Sequence, residues 1–183
     1  MAELKGTKTE KNLMDAFAGE SQARNRYTFY AQRASKEGDE KTASLFEELA
    51  NNEREHARLW FKLLSGGDVP DTDANLRAAA AGEHEEWTEM YKRMAAQARE
   101  EGFNSIALLF ENVGGIEKEH EERFLALIND RVKEPGMADA AGNEKQVWIC
   151  KTCGYIVDSD NAPQECPVCG QPQDDFALRT IVY

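Results

Sequence analysis

The sequence predicts a mainly α fold in which a four-helix bundle precedes a small metal-binding module. Apolar side chains recur at helical spacing along four long segments before residue 135, which predicts four amphipathic helices. All four cysteines lie after residue 149, in two Cys-x-x-Cys pairs that indicate a metal site before they indicate disulfides. The length of 183 residues suits one domain plus a small module. We place the bundle at residues 1–134, a linker at 135–145 and the module at 146–183.

The first two predicted helices have recognisable ends. Thr7 and Glu10 form the capping-box pattern that opens helix A, and Gly38 ends that helix. Asp39 can cap helix B, which ends at the glycine pair 66–67. Each end therefore has a residue that satisfies backbone groups or stops the helix.

Helices C and D show the same kind of boundary. A short loop through Pro70 leads to helix C, which Gly102 closes, and helix D starts near Asn104. The helical pattern breaks at 134–136, and the small polar residues beyond it are typical of a linker.

The two halves of the bundle repeat one metal-binding pattern. Glu20 stands 33 residues before Glu53 in the first half, and Glu83 stands 34 residues before Glu117 in the second. Glu53 and Glu117 each open a Glu-x-x-His motif. Each half therefore offers one lone glutamate and one Glu-x-x-His pair. The histidines of the two pairs are His56 and His120.

The four glutamates lie on the apolar stripes of the predicted helices, where burying an uncompensated charge costs several kcal/mol. Four such groups without a cation would disrupt a core or become protonated. No lysine or arginine lies on the same stripes. Two divalent ions would balance the four charges. Carboxylate and imidazole ligands in this number and order suit two non-haem iron ions inside a four-helix bundle.

The second half carries one carboxylate that the first half lacks. When Glu20 is aligned with Glu83, Glu86 falls opposite Ala23, one turn after Glu83 on the same face. Two interpretations stay open: Glu86 is a solvated helix residue, or it is a seventh ligand. As a ligand, its anionic carboxylate suits ferric iron, whereas a neutral imidazole suits ferrous iron, so one iron would change ligand with oxidation state.

Other residues near the ligands also receive predictions. Tyr27 and Tyr91 follow the lone glutamates of their halves by seven and eight residues, and we expect both to face inward and to donate hydrogen bonds to ligand carboxylates. We expect His84 to be exposed and not to be a ligand. The glycine pair 114–115 is costly inside helix D. It either lets the backbone approach the metal cluster or marks a kink or a π-bulge.

The C-terminal module contains two knuckle motifs, built on Cys150 with Cys153 and on Cys166 with Cys169. Four thiolates at this spacing suit a tetrahedral metal site, and the glycine after each pair relieves the tight turn. The module is too small for a core of its own, so the metal must hold it folded. Spacing alone does not separate iron from structural zinc. The neighbouring di-iron site, which needs an electron donor, favours iron.

Charge and hydropathy exclude several classes of partner. The net charge of −12 opposes binding to the phosphates of nucleic acids. The N-terminus has no apolar signal segment, and no apolar run is long enough to span a bilayer. We therefore expect no membrane partner and a cytoplasmic location.

These motifs, in this order and over nearly the whole chain, resemble those of the rubrerythrin family. The repeated Glu and Glu-x-x-His helices resemble its ferritin-like domain, and the two cysteine knuckles, Cys-x-x-Cys-Gly-Tyr and Cys-Pro-x-Cys-Gly, resemble its rubredoxin-like domain. The resemblance implies a ferritin-like bundle with two irons and a rubredoxin-like domain with one iron on the four cysteines. It also implies that Glu53 and Glu117 bridge the two irons, and that Glu20 and Glu83 are terminal ligands.

The same resemblance implies roles for the other ligands and for the whole protein. His120 would bind the second iron, whereas Glu86 and His56 would exchange at one iron with oxidation state. The implied activity is that of a peroxidase that reduces hydrogen peroxide to water in oxidative-stress defence, with electrons returned through the rubredoxin-like iron. The implied electron donor is rubredoxin or an NAD(P)H-dependent reductase, and the implied assembly is a head-to-tail homodimer.

Two rival functions share part of the pattern. A ferroxidase or iron-storage protein has the same bundle with oxygen as oxidant, but it has no need of an attached electron relay. A zinc-ribbon binding module on a helical scaffold leaves the inward carboxylates unexplained.

The position of the module raises a question of distance. From His120 to Val132, helix D alone would run roughly 18 Å. The module must therefore fold back on its own bundle or reach the bundle of a neighbouring subunit. A dimer that pairs the module of one chain with the bundle of the other meets this requirement without strain.

Overall fold

The computed structural model of the chain describes residues 3–132 and 144–182. The chain divides after Pro70 into two compact units, each with one pair of antiparallel helices that we call the first and the second hairpin. The predicted break at 134–136, and the predicted linker up to residue 143, lie outside the described residues. The last two residues of the predicted linker, 144 and 145, instead belong to a β-strand that begins at Glu144.

The first hairpin consists of α1 (Lys8–Lys36) and α2 (Glu40–Leu64). Thr7 caps α1 by accepting a 3.1 Å hydrogen bond from the N–H of Glu10, as the capping-box pattern predicts. Asp39 caps α2 by accepting a 3.1 Å hydrogen bond from the third backbone N–H of that helix. The predicted starts of both helices are confirmed.

Small side chains let α1 and α2 pack closely. Five alanines are buried in this hairpin, namely Ala31 and Ala34 of α1 and Ala43, Ala50 and Ala57 of α2. Aromatic rings fill the wider parts of the interface. The rings of Phe17 and Phe61 pack with their centroids 5.7 Å apart, and those of Tyr27 and Phe46 lie 6.0 Å apart.

The second hairpin corresponds to predicted helices C and D. It contains α3 (Thr72–Glu85), a π-helical segment (Glu86–Met90), α4 (Tyr91–Glu100) and α5 (Asn104–Val132). The first three of these elements follow one another without a break and pair with α5. Ala95 and Ala98 of α4 pack on Ala107 of α5. No helix within the described ranges is both long and apolar enough to cross a membrane.

The cysteine module is a three-stranded antiparallel sheet with strand order β2-β1-β3. Its strands are β1 (Glu144–Cys150), β2 (Ile156–Val157) and β3 (Phe176–Val182). Trp148 of β1 pairs with Val157 on one side and with Leu178 on the other. Four long helices followed by this small sheet confirm the mainly α fold that the sequence predicts.

Candidate metal centres

The first hairpin brings Glu20, Glu53 and His56 together. One ligand atom of each residue lies within 4.8 Å of those of the other two. Nδ1 of His56 is 2.7 Å from Oε2 of Glu53 and 3.9 Å from Oε2 of Glu20. The i, i+3 spacing of Glu53 and His56 places both on one face of α2.

The second hairpin builds an equivalent group from Glu83, Glu117 and His120, again within 4.8 Å of one another. Nδ1 of His120 is 2.8 Å from Oε2 of Glu117 and 3.6 Å from Oε1 of Glu83. The two hairpins therefore present the same ligand types at nearly the same separations, as the sequence repeat predicts.

Both ligand groups fit iron in their donor chemistry and in their charge. The four carboxylate side chains are 14–29% exposed, and each group combines two acidic side chains with one imidazole. Burial raises the pKa of Glu117, against the opposing effect of His120, and the charges of Glu83 and Glu86 raise it further. A bound cation would supply the positive charge that favours the ionised form of the Glu117 carboxylate.

Glu86 is not one of the three grouped residues of the second hairpin, but its charge raises the pKa of Glu117 and of Tyr91. Burial raises the pKa of the Tyr91 hydroxyl, and the charges of Glu117, Glu86 and Glu83 add to this effect. Tyr91 therefore keeps its proton at neutral pH and can act as a hydrogen-bond donor beside the carboxylates. The assignment of Glu86 as a ligand stays a prediction.

The π-helical segment interrupts the helix that the sequence predicts as one continuous helix C. An α-helical step of seven residues returns to nearly the same face, whereas a step of eight overshoots it by roughly 80°. Tyr91 lies eight residues after Glu83, while Tyr27 lies only seven after Glu20. The π-helical turn at Glu86–Met90 absorbs the additional residue. The signal in the sequence was the unequal spacing of the two halves.

The glycine pair 114–115 lies inside α5 and only its first member faces a neighbour. A Cβ added at Gly114 would stand 3.2 Å from the Cβ of Tyr91, whereas one added at Gly115 would meet no atom within 4 Å. The structure shows the side chain of Tyr91 close to Gly114, whereas the predicted approach of the backbone to the metal cluster stays a prediction. The π-bulge lies on the opposite helix.

His84 is exposed and is not part of either ligand group, as predicted. Its Nδ1 lies 2.9 Å from Oε1 of Glu121, and the indole N–H of Trp87 donates a 2.5 Å hydrogen bond to Oε2 of the same carboxylate. Glu121 was missed in the sequence because it is one of several glutamates in an acidic stretch, and no spacing rule singles it out.

The four predicted cysteines converge on one site in the module. Sγ of Cys150 is 3.6 Å from Sγ of Cys169, and Sγ of Cys153 is 3.6 Å from Sγ of Cys166. A disulfide would require about 2.05 Å. Four sulfurs around one metal, with bonds of about 2.3 Å, would lie roughly 3.8 Å apart. The sulfur separations therefore fit a tetrahedral metal site.

The protonation of the thiols also favours a bound cation. Burial raises the pKa of the Cys150 and Cys153 thiols. At Cys166 burial acts in the same direction, but the backbone N–H groups of Cys169 and Val168 outweigh it and lower the pKa. A bound metal ion would favour the thiolate forms of Cys150 and Cys153 against this effect of burial.

The first cysteine knuckle lies against α5 within the second unit. A Cβ added at Gly154 would stand 3.1 Å from Nε2 of His120 and 3.2 Å from Cγ2 of Ile116. Gly154 also has a φ of 78°, which disfavours any larger residue. The module therefore folds back onto the α5 helix of its own chain, which is one of the two arrangements that the distance argument allows.

Comparisons with known proteins identify the family. The rubrerythrin family profile matches residues 11–128, which is more than half of the chain. The profile described as the rubrerythrin, rubredoxin-like domain matches residues 148–177. The chain belongs to the rubrerythrin family.

Several relatives match over almost their entire length. A rubrerythrin from Porphyromonas gingivalis is 47% identical over 94% of this chain and 90% of the relative. A rubrerythrin from Nitratidesulfovibrio vulgaris is 44% identical over 99% of both chains. A solved structure of the mixed-valence state of nigerythrin is 34% identical, covers 98% of this chain and 92% of that chain, and has a TM-score of 0.40.

Membership of the rubrerythrin family specifies the metals. A rubrerythrin combines a di-iron domain with a rubredoxin-like iron domain, and the ligand groups of this chain supply residues for both. Iron is thereby favoured over structural zinc at the four cysteines. The chain is an iron-dependent oxidoreductase of the rubrerythrin family.

Proposed function

We propose that this chain is a peroxidase that reduces hydrogen peroxide to water at a di-iron centre and recovers its electrons through the four-cysteine iron. The observation that carries the proposal is the presence, in one chain, of two matched Glu-Glu-His groups and a four-cysteine site. The first provides ligands for a pair of irons, and the second provides a one-electron carrier. A storage protein would not need the second.

Each ligand group of the bundle has a defined place in this proposal. Reduction of one hydrogen peroxide to two waters consumes two electrons and two protons, and a bound pair of ferrous ions would supply those electrons. Glu53 and Glu117 would be the carboxylates that both ions share, while Glu20 and Glu83 would each bind one ion. His120 binds the second iron, and these five residues define the minimal centre.

Four further residues would adapt the centre to the change of oxidation state. Glu86 and His56 would alternate as ligands of one iron. Tyr91 holds its proton because burial and the neighbouring carboxylates raise its pKa, so it can donate a hydrogen bond to an oxygen ligand or a carboxylate. Tyr27 occupies the matching position in the first hairpin and has the same proposed role.

The contact between Gly154 and His120 supports an electron route within one chain. Gly154 directly follows Cys153, and its backbone lies against the imidazole ring of His120, whose other nitrogen faces Glu117. Few atoms therefore separate the cysteine site from the ligands of the second hairpin. A head-to-tail homodimer, in which electrons cross between subunits, stays a prediction.

The partners follow from the same scheme. Electrons would enter the four-cysteine iron from rubredoxin or from an NAD(P)H-dependent reductase, one at a time. None of the four cysteines forms a disulfide bond, as a metal site requires. A cytoplasmic location stays a prediction.

The oxidant can be tested with the fully reduced protein under anaerobic conditions. One equivalent of hydrogen peroxide should oxidise two bundle irons rapidly and leave no peroxide. The Glu53→Ala variant, which lacks a bridging ligand, should bind far less than two irons and lose this reaction. Faster oxidation by oxygen than by peroxide, with growth of a ferric mineral, would instead support a ferroxidase.

The relay can be tested by removing one thiolate. Cys153→Ser should leave the single reduction of peroxide by the chemically reduced bundle, but should abolish turnover with a reductase. Mixed dimers of Cys153→Ser with Glu53→Ala chains then distinguish the routes. Recovered turnover in the mixed dimers supports transfer between subunits, whereas none, with mixing confirmed, supports transfer within a chain.

A further inference from the structure

Glu121 of α5 joins two residues of the facing helix by hydrogen bonds. Its Oε2 accepts from the indole N–H of Trp87 at 2.5 Å, and its Oε1 lies 2.9 Å from Nδ1 of His84. The side chain of Glu121 is only 14% exposed. We call these three residues the Glu121 tie.

The tie exists only in the second hairpin. In the aligned repeat, His84, Trp87 and Glu121 correspond to a serine, an arginine and an alanine of the first hairpin, namely Ser21, Arg24 and Ala57. These three line a shallow open groove between α1 and α2. The methyl side chain of Ala57, unlike the carboxylate of Glu121, cannot accept a hydrogen bond. The difference coincides with the other two asymmetries of the second hairpin, the π-helical segment and Glu86.

Each residue of the tie directly follows a proposed ligand in the chain, and these ligands are Glu83, Glu86 and His120. Trp87 is also the second residue of the π-helical segment. The ring of Trp87 is held from two further directions. The imidazole ring of His84 packs edge-on at 5.6 Å, and Nζ of Lys92 lies 5.2 Å from its centre.

We propose that Glu121 is a positioning residue for Glu86, an inference that rests on the proposed role of Glu86 as an exchangeable ligand. The carboxylate of Glu121 fixes the indole of Trp87 and thereby holds the start of the π-helical turn against α5. Because Glu86 immediately precedes Trp87, the tie limits how far the Glu86 backbone can move. The Glu86 carboxylate can then change its own position only by side-chain rotation.

The first measurement uses the protein loaded with zinc, a redox-inert metal, because uncompensated carboxylates and an empty four-cysteine site would destabilise the metal-free fold. Trp87→Phe keeps an aromatic ring but removes the hydrogen-bond donor, and Glu121→Ala introduces the residue found at the aligned position of the first hairpin. In the unmodified protein the indole proton of Trp87 should be protected from solvent exchange. Glu121→Ala should accelerate that exchange by about tenfold or more, as expected for the loss of a hydrogen bond to a charged acceptor.

The second measurement uses the iron-loaded protein. Trp87→Phe should retain two bundle irons but change the ratio of oxidised to reduced centre at a fixed applied potential by about threefold to tenfold, since the tie biases the position of an anionic ligand. Trp60→Phe is the matched control. The buried indole N–H of Trp60 has no hydrogen-bond partner among the described residues, so its removal should leave the ratio unchanged.

A double-mutant cycle shows whether the effect acts through Glu86. In a Glu86→Gln background, Trp87→Phe should no longer change the ratio. If the change persists there at full size, or if Trp87→Phe alone leaves the ratio unchanged or loses iron, the positioning role is overturned. If Glu86→Gln by itself alters neither the ratio nor the spectrum of the centre, then the ligand role of Glu86 has failed instead.

Discussion

The two hairpins place identical ligand types at matching positions, but they differ at several positions around those ligands. The first hairpin consists of regular α-helices, with Ala23 and Ala57 at two of these positions. The second has Glu86 and Glu121 at the corresponding positions and a π-helical turn that begins at Glu86. In the proposed centre, the two ligand groups are enough to hold two metals. The differences around them would allow one metal to behave unlike the other.

The largest effect is expected from deleting Thr88 within the π-helical segment. The deletion gives the second half the spacing of the first, so α-helix should replace the π-helical turn. We expect a folded protein with two irons in which the coordination change with oxidation state is lost and peroxide turnover falls at least tenfold. Structures or spectra of both oxidation states measure the coordination, and stopped-flow kinetics measures the turnover.

A one-residue deletion elsewhere in the same helix is the matched control. Ala96 lies in regular α-helix, so no π-helical turn can absorb its deletion. The rest of α4 would rotate by about 100°, and Ala98 would lose its contact with α5. This variant should lose stability outright. If the Thr88 deletion destabilises the protein as much as the Ala96 deletion does, then the π-helical turn does not arise from one extra residue in an otherwise regular α-helix.

The second effect concerns the contact that Gly154 makes with His120. Gly154→Ala and Gly170→Ala introduce the same left-handed strain, at φ of 78° and 70°, in the two cysteine knuckles. Only at Gly154 does the added Cβ also meet a proposed iron ligand. We expect electron transfer from the cysteine iron to the bundle to slow by about tenfold in Gly154→Ala alone, measured after flash reduction of the module. Equal rates in the two variants would contradict the proposed route.

The smallest effect is expected at the glycine pair of α5. Gly115→Ala should stabilise the protein by about 0.5–1 kcal/mol because its Cβ meets open space. Gly114→Ala places a Cβ 3.2 Å from that of Tyr91, so it should be less stable than Gly115→Ala by about 1–3 kcal/mol. Denaturant unfolding of the unmodified protein and of both variants, loaded equally with zinc, gives both values. Equal stabilisation would mean that Tyr91 moves freely, and the close approach would lose its significance.

The sequence predicts those parts of the structure that depend on local spacing. The caps at Thr7 and Asp39 follow from patterns of three residues, and each ligand group follows from a repeated motif on one helical face. Carboxylates on apolar stripes carry their own signal, because a charge at such a position needs compensation. The proposed site was therefore predictable at the level of its ligands.

The remaining features depend on contacts that no local pattern encodes. Glu121 meets Trp87 across 34 residues of sequence, and Gly154 meets His120 across a similar span. The π-helical turn was present in the sequence as a difference of one residue between two spacings. No residue type marks the position of the extra residue, so the spacing alone does not locate the turn. The glycine pair of α5 suggested a π-bulge in helix D, whereas the π-helical turn lies in the facing helix.

The π-helical turn also has a consequence for how such a protein can arise. A hairpin copied once within a gene yields two equal halves and therefore two equal metals. The addition of a single codon between Glu86 and Tyr91 breaks that equality without disturbing the helix on either side, because the turn widens locally and Tyr91 stays in register. Under the proposed function, one in-frame insertion of three bases together with a carboxylate at position 86 would lead from a symmetric metal carrier towards a centre whose two ions have different roles.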